Sequence, residues 1–232
     1  MISQLYLPVQ LPDDENFESF HAGPNAQLIS HLKSWFDTSQ SPFLTYISGE
    51  HGQGKSHLLY SVCNLAADSN KTCAYVGLKN LAELAPEMLS GLEHLDCICL
   101  DDIHLLQGQQ EWQRAVFDLI NRVREQGQCR LAITALQGPK QVPLALADLQ
   151  SRLSWGVSFH LQPLSDEMRT EVLTSRAYRR GMTMPAEVAR FLINHCHRDM
   201  PTLMKVLEKL DVSSLQAGHK LTIPFVKKVL KF

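Results

Sequence analysis

The eight residues from 49 to 56 carry the clearest chemistry in this sequence. They read Gly49-Glu-His-Gly-Gln-Gly-Lys55-Ser56, which fits the pattern G-x-x-x-x-G-K-[ST] without a gap. Glycines let such a loop curl so that its N–H groups point inward, and the helix that follows adds partial positive charge. Phosphate oxygens accept hydrogen bonds from such N–H groups and are attracted by the partial positive charge. We therefore predict a nucleotide-binding loop formed by Gly49, His51, Gly52, Gln53, Gly54, Lys55, Ser56 and His57.

Two side chains of this loop have predicted roles of their own. The Lys55 ammonium is expected to reach the β and γ phosphates, and the Ser56 hydroxyl is expected to complete the shell of a Mg²⁺ ion. The alternative interpretation is a glycine-rich turn with an exposed lysine. It is disfavoured because the loop lies directly between a predicted strand at 43–48 and a predicted helix at 55–67.

A second group of candidates follows a short apolar run. The segment 95–100 ends in two carboxylates, Asp101 and Asp102. In a parallel sheet, ligands bind at the carboxyl ends of the strands. We therefore predict that Asp101 is the carboxylate on the Mg²⁺ side and that Asp102 orients or polarises an attacking water. An acidic pair after a strand also suits a helix N-cap, which would be the better interpretation without the phosphate loop.

The elements that must position these residues alternate between strand and helix. Because strands that alternate with helices form parallel sheets, we predict an α/β core with helices on both faces, followed after Pro163 by a small all-helical lid. The predicted domains are an extended N-terminal arm at 1–25, the α/β domain at 26–163 and the lid at 164–232. The predicted strands are 43–48, 73–76, 96–100, 130–134 and 157–161, and the predicted helices are 26–36, 55–67, 81–89, 109–126, 165–181, 185–197, 201–216 and 223–232.

Composition places the chain among ordinary globular proteins. Hydrophobic residues make up 44% and charged residues 20%, which argues against extended disorder. A formal net charge of -2 provides no overall positive field for nucleic acid. No apolar run approaches the roughly 20 residues that span a bilayer. The N-terminus also lacks a secretory pattern, so the cytoplasm is the expected compartment and no membrane contact is expected.

Three smaller clusters favour structural roles over functional ones. The six cysteines are expected to be reduced, and Cys97 and Cys99 lack a second C-x-x-C pair, so core filling is favoured over metal binding. The neighbours His195, Cys196 and His197 point in different directions on a helix, which disfavours a metal site. The basic C-terminal patch of Lys227, Lys228 and Lys231 is expected to solvate the last helix rather than to contact DNA.

Four segments resemble motifs of one family. The stretch Cys99-Leu-Asp-Asp-Ile-His104 is similar to its second nucleotide motif, and 17–25 to its opening motif, whose residues border the base pocket and include Phe20. Segment 151–156 is similar to its arginine-finger motif, and 198–203 to its sensor II helix. The family is the AAA+ replication initiators of the DnaA group, and the resemblance spans nearly the whole chain. It implies a P-loop AAA+ core with a helical lid.

The resemblance implies roles for three more residues. Arg152 would be an arginine finger that acts on the ATP of a neighbouring subunit, the alternative being a surface arginine in a turn. Arg198 would touch phosphate from the lid, the alternative being a helix-capping salt bridge. Thr134 would supply the sensor I hydroxyl, although the following turn, Ala135-Leu-Gln-Gly-Pro139, departs from the family's acidic-basic-proline pattern.

Two features separate the sequence from the initiators themselves. The chain ends at Phe232, just after the lid, so a C-terminal helix-turn-helix domain and sequence-specific DNA binding are not expected. Near the N-terminus, Gln4-Leu-Tyr-Leu-Pro8 resembles the Q-L-x-L-P peptide that binds the β sliding clamp of bacterial DNA polymerase. Its candidate clamp-binding residues are Gln4, Leu5, Leu7 and Pro8.

Taken together, these resemblances imply a DnaA-related regulator of replication initiation. Its ligands would be ADP or ATP with Mg²⁺, and its partners DnaA and the sliding clamp. AAA+ relatives form rings or filaments, so self-association is also expected to be possible. An autonomous AAA+ ATPase or helicase loader is the alternative. A P-loop small-molecule kinase fits less well, because no lid of basic residues over an acceptor pocket is visible in the sequence.

Overall fold

The computed structural model describes residues 15–37, 42–217 and 221–232, with the side chains of 216 and 217 excluded. The four predicted clamp-binding residues lie outside this description. The described residues divide into two units. The first comprises 27–50 and 55–161 together with the segment before residue 21, and the second comprises 162–232 with the short segments 21–26 and 51–54. The predicted boundary between 163 and 164 stays a prediction.

A five-stranded sheet forms the centre of the first unit. The strands are β1 Leu44–Ser48, β2 Cys73–Gly77, β3 Cys97–Asp101, β4 Arg130–Ala135 and β5 Val157–His160. Their order is β2-β3-β4-β1-β5, and every neighbouring pair is parallel. Every residue of β1 and β3 is buried, as expected of strands covered on both faces.

In the described ranges, eight α-helices complete the two units. Helices α1 to α4 accompany the sheet, and α5 to α8 make up the helical second unit. Their bounds are α1 Ala26–Lys33, α2 Lys55–Asp68, α3 Gln110–Gln126, α4 Ala147–Leu153, α5 Asp166–Arg179, α6 Ala186–His195, α7 Met200–Ala217 and α8 Ile223–Leu230. The predicted α/β sheet followed by a helical lid is therefore what the structure shows. No helix in the described part of the chain is long and apolar enough to cross a membrane.

One local prediction was wrong, and one helix was missed. The helix predicted at 81–89 is a pair of 3₁₀ segments, Leu78–Glu83 and Pro86–Leu89. They are separated by extended backbone at Ala85, because the ring of Pro86 disfavours helical geometry in the residue before it. Helix α4 was not predicted at all, since its seven residues are too few to show a clear helical period.

Each unit has an apolar core of its own. In the first unit, β-strand residues pack with one face of α3 and with α4. In the second unit, α5 to α8 enclose a separate cluster of buried side chains, among them Leu173, Leu192, Leu203, Leu207, Leu210 and Val226. A helical lid with this many buried leucines has the internal packing that a small unit needs.

The turn before β5 brings two strands unusually close together. A Cβ atom placed on Gly156 would fall well inside contact distance of the carbonyl oxygen of Leu44, the first residue of β1. Gly156 is therefore required by space rather than by its backbone conformation. The same contact fixes the Trp155-Gly156 turn at the amino edge of the sheet, where β1 begins.

Replacing Gly156 with alanine is expected to destabilise the chain by about 1–3 kcal/mol, because backbone must move to admit the methyl group. The measurement is urea unfolding followed by circular dichroism. Gly138→Ala is the matched control, since its Cβ would meet only the movable Gln141 side-chain oxygen, at 2.5 Å. Equal stability of the two variants would contradict the close approach.

Candidate functional site

The predicted phosphate loop lies at the carboxyl edge of the sheet. It leaves the end of β1 at Ser48 and enters α2 at Lys55. Gly52 and Gly54 have φ angles of +76° and +95°, a region that residues with a Cβ rarely adopt. The Gly49 amide donates to the carbonyl of Ala135 at 3.2 Å, which anchors the start of the loop to the end of β4. Gly52 and Gly54 are therefore needed for the tight turn of the loop.

Lys55 is held within this curl by the loop itself. Its Nζ donates to the carbonyls of Gly49 and Glu50, each at 2.8 Å, and the residue is 6% exposed. Burial lowers the pKa of Lys55 more than the nearby charges of Asp102 and Asp101 raise it. A desolvated ammonium beside curled backbone and a helix N-terminus suits phosphate oxygens. The residues present therefore fit a nucleotide.

The Asp101 carboxylate is the most densely bonded group of the site. Its Oδ2 accepts from the Ser56 hydroxyl at 2.6 Å and from the Tyr75 hydroxyl at 2.8 Å. Its Oδ1 accepts from the Thr134 hydroxyl. Carboxylate and hydroxyl oxygens are ligands that Mg²⁺ prefers, so Ser56 and Asp101 would hold the ion, directly or through water. The structure thus brings together the predicted metal pair and the predicted sensor threonine.

Thr134 also connects the two acids. The backbone amide of Asp102 donates to Thr134 Oγ1 at 2.8 Å, and that hydroxyl in turn donates to Asp101. This side chain is fully buried at β4, the strand next to β3. The position agrees with what a sensor I residue needs, and its role in hydrolysis stays a prediction.

Tyr75 is a site residue that the sequence reasoning missed. Its ring lies 4.7 Å from that of Tyr60, centroid to centroid, and its hydroxyl donates to Asp101. Burial, followed by the charge of Asp101, raises the pKa of Tyr75 far above the ordinary value, so the phenol remains a donor. Its only signal in the sequence is its place on a strand, because nothing in a single chain says that β2 neighbours β3.

The Asp102 side chain forms an ion pair. Oδ2 of Asp102 lies 3.1 Å from Nζ of Lys79. The backbone of Asp102 is in the left-handed region, with a φ angle of +63°. Asp102 precedes the 3₁₀ segment Ile103–Leu106 but makes no side-chain capping hydrogen bond to it. The N-cap alternative for this acid is therefore not what the structure shows.

Two predicted nucleotide residues meet beside the first turn of α2. His57 Nε2 lies 3.1 Å from Ser19 Oγ and 3.0 Å from the carbonyl of Asn16, and its ring meets Phe20 edge-on at 5.2 Å. The opening motif and the phosphate-loop helix are thus joined through this histidine. His51 and Gln53 belong to the loop itself, and their contacts with nucleotide stay predictions.

Arg152 is part of an aromatic and polar cluster of the first unit. Its Nε donates to Asn121 Oδ1 at 3.0 Å, and its guanidinium carbon lies 3.9 Å from the centroid of the Trp155 ring and 5.3 Å from that of Phe117. The residue is partly buried on α4. The alternative of a surface arginine in a turn is therefore not supported, since stacking and a directed hydrogen bond hold this side chain.

The position of this cluster along the sheet decides what Arg152 can reach. Helix α3 starts after β3 and ends before β4, so it runs from the carboxyl edge of the sheet to the amino edge. Asn121 lies about 16 Å along it from Gln110, at 1.5 Å per residue. Trp155 sits at the amino edge, as the Gly156 contact with Leu44 shows. Arg152 therefore lies away from Lys55 and Asp101 of its own chain.

Arg198 forms a salt bridge, which was the alternative to the predicted phosphate contact. Its Nη1 lies 3.2 Å from Oδ2 of Asp166, the first residue of α5, and Arg169 contacts the other oxygen at 2.7 Å. Both contacts lie within the second unit. A role for Arg198 in sensing phosphate stays a prediction.

The cysteines are all free thiols. The sulfurs of Cys63, Cys73 and Cys99 lie within 4.8 Å of one another, and the first two are 3.4 Å apart. Mutual hydrogen bonding and burial raise the pKa values of Cys63 and Cys99. His195 stacks on Phe191 with centroids 4.0 Å apart, which supports its structural role.

Two family models match most of the chain. The family model of the bacterial DnaA ATPase domain matches residues 11–160, well over half of the 232 residues. This chain belongs to the bacterial DnaA ATPase family. The family model of the Hda lid domain matches residues 166–230 of the second unit. The two matches confirm the predicted relationship, because they identify an Hda-like, DnaA-related AAA+ protein.

Solved structures confirm the AAA+ fold of this DnaA-family chain. Domain III of DnaA from Thermotoga maritima superimposes with a TM-score of 0.82 at 22% identity, covering 95% of this chain and 97% of that one. AMPPCP-bound DnaA from Aquifex aeolicus gives 0.73 at 18% identity, covering 89% and 68%. The RuvB branch migration motor of T. maritima gives 0.71 at 13%, covering 95% and 72%. At these identities the likeness establishes the fold alone.

Tyr75→Phe is expected to lower the free energy of unfolding by about 1.5–3 kcal/mol, because it removes a hydrogen bond to the buried Asp101 carboxylate. Urea titration of the nucleotide-free chain measures the change. Tyr178→Phe, at an 81% exposed position, is the control and is expected to shift stability by less than about 0.5 kcal/mol. A Tyr75 variant as stable as the control would refute the bond.

Proposed function

We propose that this chain is a nucleotide-bound AAA+ regulator of replication initiation that binds the DNA polymerase sliding clamp and stimulates hydrolysis of ATP bound to DnaA. Its membership of the DnaA ATPase family and its Hda-like lid support the initiator as partner. The single observation that carries the proposal is the placement of Arg152. A fixed arginine at the opposite edge of the sheet from the chain's own phosphate loop suits a site on another molecule.

The chain's own nucleotide, ADP in the working state, would be held by the loop at 49–56. Lys55 and the loop amides would bind the phosphates, and Phe20 would border the base. Mg²⁺, held by Ser56 and Asp101, would neutralise phosphate charge. The nucleotide would then act chiefly as a switch that sets the angle between the lid and the sheet unit, with Arg198 as the lid contact.

Arg152 has the contacts that a finger acting in trans requires. The bond to Asn121 uses Nε, which leaves the Nη donors for phosphate oxygens, and stacking on Trp155 fixes the guanidinium plane. In DnaA-bound ATP, water attacks the γ phosphorus and the bond from that phosphorus to the bridging oxygen breaks. The leaving ADP takes the electron pair. Arg152 would stabilise the charge on the transferring phosphoryl group.

An arginine that acts across a boundary implies a head-to-tail contact. Such contacts use different surfaces on the two partners, so they extend into rings or filaments unless something stops them. DnaA would offer the nucleotide face, and this chain would offer the face that carries α4 and the end of α3. The same geometry would allow self-association of this chain.

Residues 4–8 would tether the regulator to clamps loaded on DNA. The candidate peptide has an amide side chain followed by apolar side chains for a preformed groove. A peptide that orders on binding gives moderate affinity, which suits a contact that must be reversible. The tether would confine the stimulation of DnaA to cells in which replication has started.

Arg152→Ala is expected to remove stimulation of DnaA-bound ATP hydrolysis, since fingers in other NTPases contribute factors of about 10³–10⁵ in rate. The assay loads radiolabelled ATP on DnaA and adds this chain with clamp on nicked DNA. Arg114→Ala is the matched control, because Arg114 is an exposed arginine in the first turns of α3, away from the end that faces DnaA in this proposal.

The control variant is expected to stimulate DnaA within about threefold of the unmodified chain. If the Arg152 variant retains full stimulation, the finger assignment is wrong. If the unmodified chain hydrolyses ATP steadily without DnaA and without clamp, the alternative of an autonomous ATPase or helicase loader replaces the proposal.

Gln4→Ala combined with Leu7→Ala is expected to abolish capture by immobilised sliding clamp. The matched control is Gln10→Ala combined with Leu11→Ala, which removes the same residue types from the neighbouring Gln10-Leu-Pro12 sequence. Recovery is measured by quantitative pull-down of purified proteins. Equal recovery of the two double variants would show that residues 4–8 are not the tether.

A further inference from the structure

The charges of the chain are unevenly divided between the two units. Residues 162–232 contain twelve lysines and arginines against seven acids, whereas residues 1–161 contain ten against seventeen. The segments 21–26 and 51–54, which belong to the second unit, add no residue of these types. The second unit therefore has a formal charge of +5 and the first unit of -7, although the whole chain is at -2. The small overall charge conceals a positive field around the lid.

Part of this positive charge lies beside a cluster of aromatic rings. Phe191 and His195 of α6 stack with their ring centroids 4.0 Å apart. The ring of Phe232 lies 5.7 Å from that of Phe191 and 5.8 Å from that of His195, centroid to centroid. Nζ of Lys227 on α8 lies 5.5 Å from the centroid of Phe191. Lys231 follows four residues later, next to Phe232. These five residues form what we call the aromatic–lysine surface.

We propose that the aromatic–lysine surface binds single-stranded DNA without sequence preference. The lysines would contact phosphates and the rings would stack on unpaired bases. This inference goes beyond the proposed function and does not depend on it, because the surface shares no residue with the phosphate loop or with the Arg152 cluster. It departs from the expectation that the basic C-terminal patch only solvates the last helix, since that expectation took no account of the rings on α6.

The surface is open to solvent and its cations are not neutralised. Phe232 is 54% exposed, and Lys227 and Lys231 are exposed as well. In the ranges that the structure describes, neither lysine forms an ion pair with an acid. Both ammonium groups can therefore contact phosphate oxygens without first breaking a salt bridge. The contact of Lys227 with Phe191 holds one of these cations beside the rings.

The rings decide which form of DNA fits the surface. In a duplex the bases stack on one another, so an aromatic side chain can stack only on a base that is unpaired. A duplex would use the lysines alone, through its phosphates. Phe232 can therefore contribute to binding of a single strand and not of a duplex. The first unit of a second copy and an anionic membrane would also attract the lysines, and the experiment includes both.

The test measures fluorescence anisotropy of a labelled oligonucleotide of about 20 thymines with the full chain alone, from about 50 to 200 mM salt. Lys227→Gln combined with Lys231→Gln is expected to weaken binding about tenfold at about 100 mM salt. It is also expected to lower the slope of log K against log salt by about 1.4, since each phosphate contact on a single strand contributes about 0.7. The matched control is Lys205→Gln combined with Lys209→Gln, which removes two exposed lysines at the same spacing from α7.

The ring is tested separately from the charge. Phe232→Ala is expected to weaken binding of the thymine strand about fivefold or more, because it removes a stacking surface. The salt slope is expected to stay the same, since no charge is lost, and binding of a duplex of equal length is expected to be unchanged. Tyr178→Ala, at an 81% exposed position on α5, is the matched control. Phe232→Leu repeats the test if circular dichroism shows that the alanine variant does not fold.

Several results would overturn the inference. They are failure of the unmodified chain to bind the thymine strand, equal losses in the two lysine pairs, and full binding by the folded Phe232 variant. Sedimentation velocity and flotation with vesicles of phosphatidylglycerol test the other occupants. If the Lys227 and Lys231 variant loses self-association or vesicle binding but keeps the oligonucleotide, the surface belongs to a second copy or to a membrane. Since DnaA and clamp are absent from these assays, the result is independent of the proposed function.

Discussion

The hydrogen bonds to the Asp101 carboxylate hold the candidate site together. They join α2 through Ser56, β2 through Tyr75 and β4 through Thr134 to the end of β3. The residue is 2% exposed, and a buried carboxylate is tolerated only where donors and cations replace its water. The positions of the phosphate loop and of the second acid depend on this junction, because Ser56 lies in the first turn of α2 and Thr134 accepts a hydrogen bond from the Asp102 amide.

The two edges of the parallel sheet carry different functional groups. The loop at 49–56 follows β1, and the two acids lie at the carboxyl end of β3, as expected for open α/β sheets. Arg152 and its partners Asn121 and Trp155 lie toward the other edge, where α3 ends and β5 begins. One domain can therefore bind a nucleotide with one edge and present an arginine to a second molecule with the other. This arrangement underlies the proposed action on DnaA.

Strand β2 and the segment after it contribute two further side chains that contact the acids. Tyr75 donates to the first acid, and Lys79 pairs with the second. Both belong to the edge of the sheet, beside a region that folds as 3₁₀ turns instead of the predicted helix. Lys79 belongs to the first of these turns and lies directly after β2.

The sequence by itself determined the phosphate loop, the two acids and the helical lid, because these are local patterns: glycine spacing, an apolar run that ends in carboxylates, and helical periodicity. The family matches and the parallel sheet agree with the predicted α/β fold and helical lid. Only the tertiary structure decided that Tyr75 and Lys79 join the acids, that Asn121 holds Arg152, and that Arg198 pairs with Asp166. Strand order and helix packing bring these residues together across long stretches of chain, and no local pattern encodes which strand lies beside which.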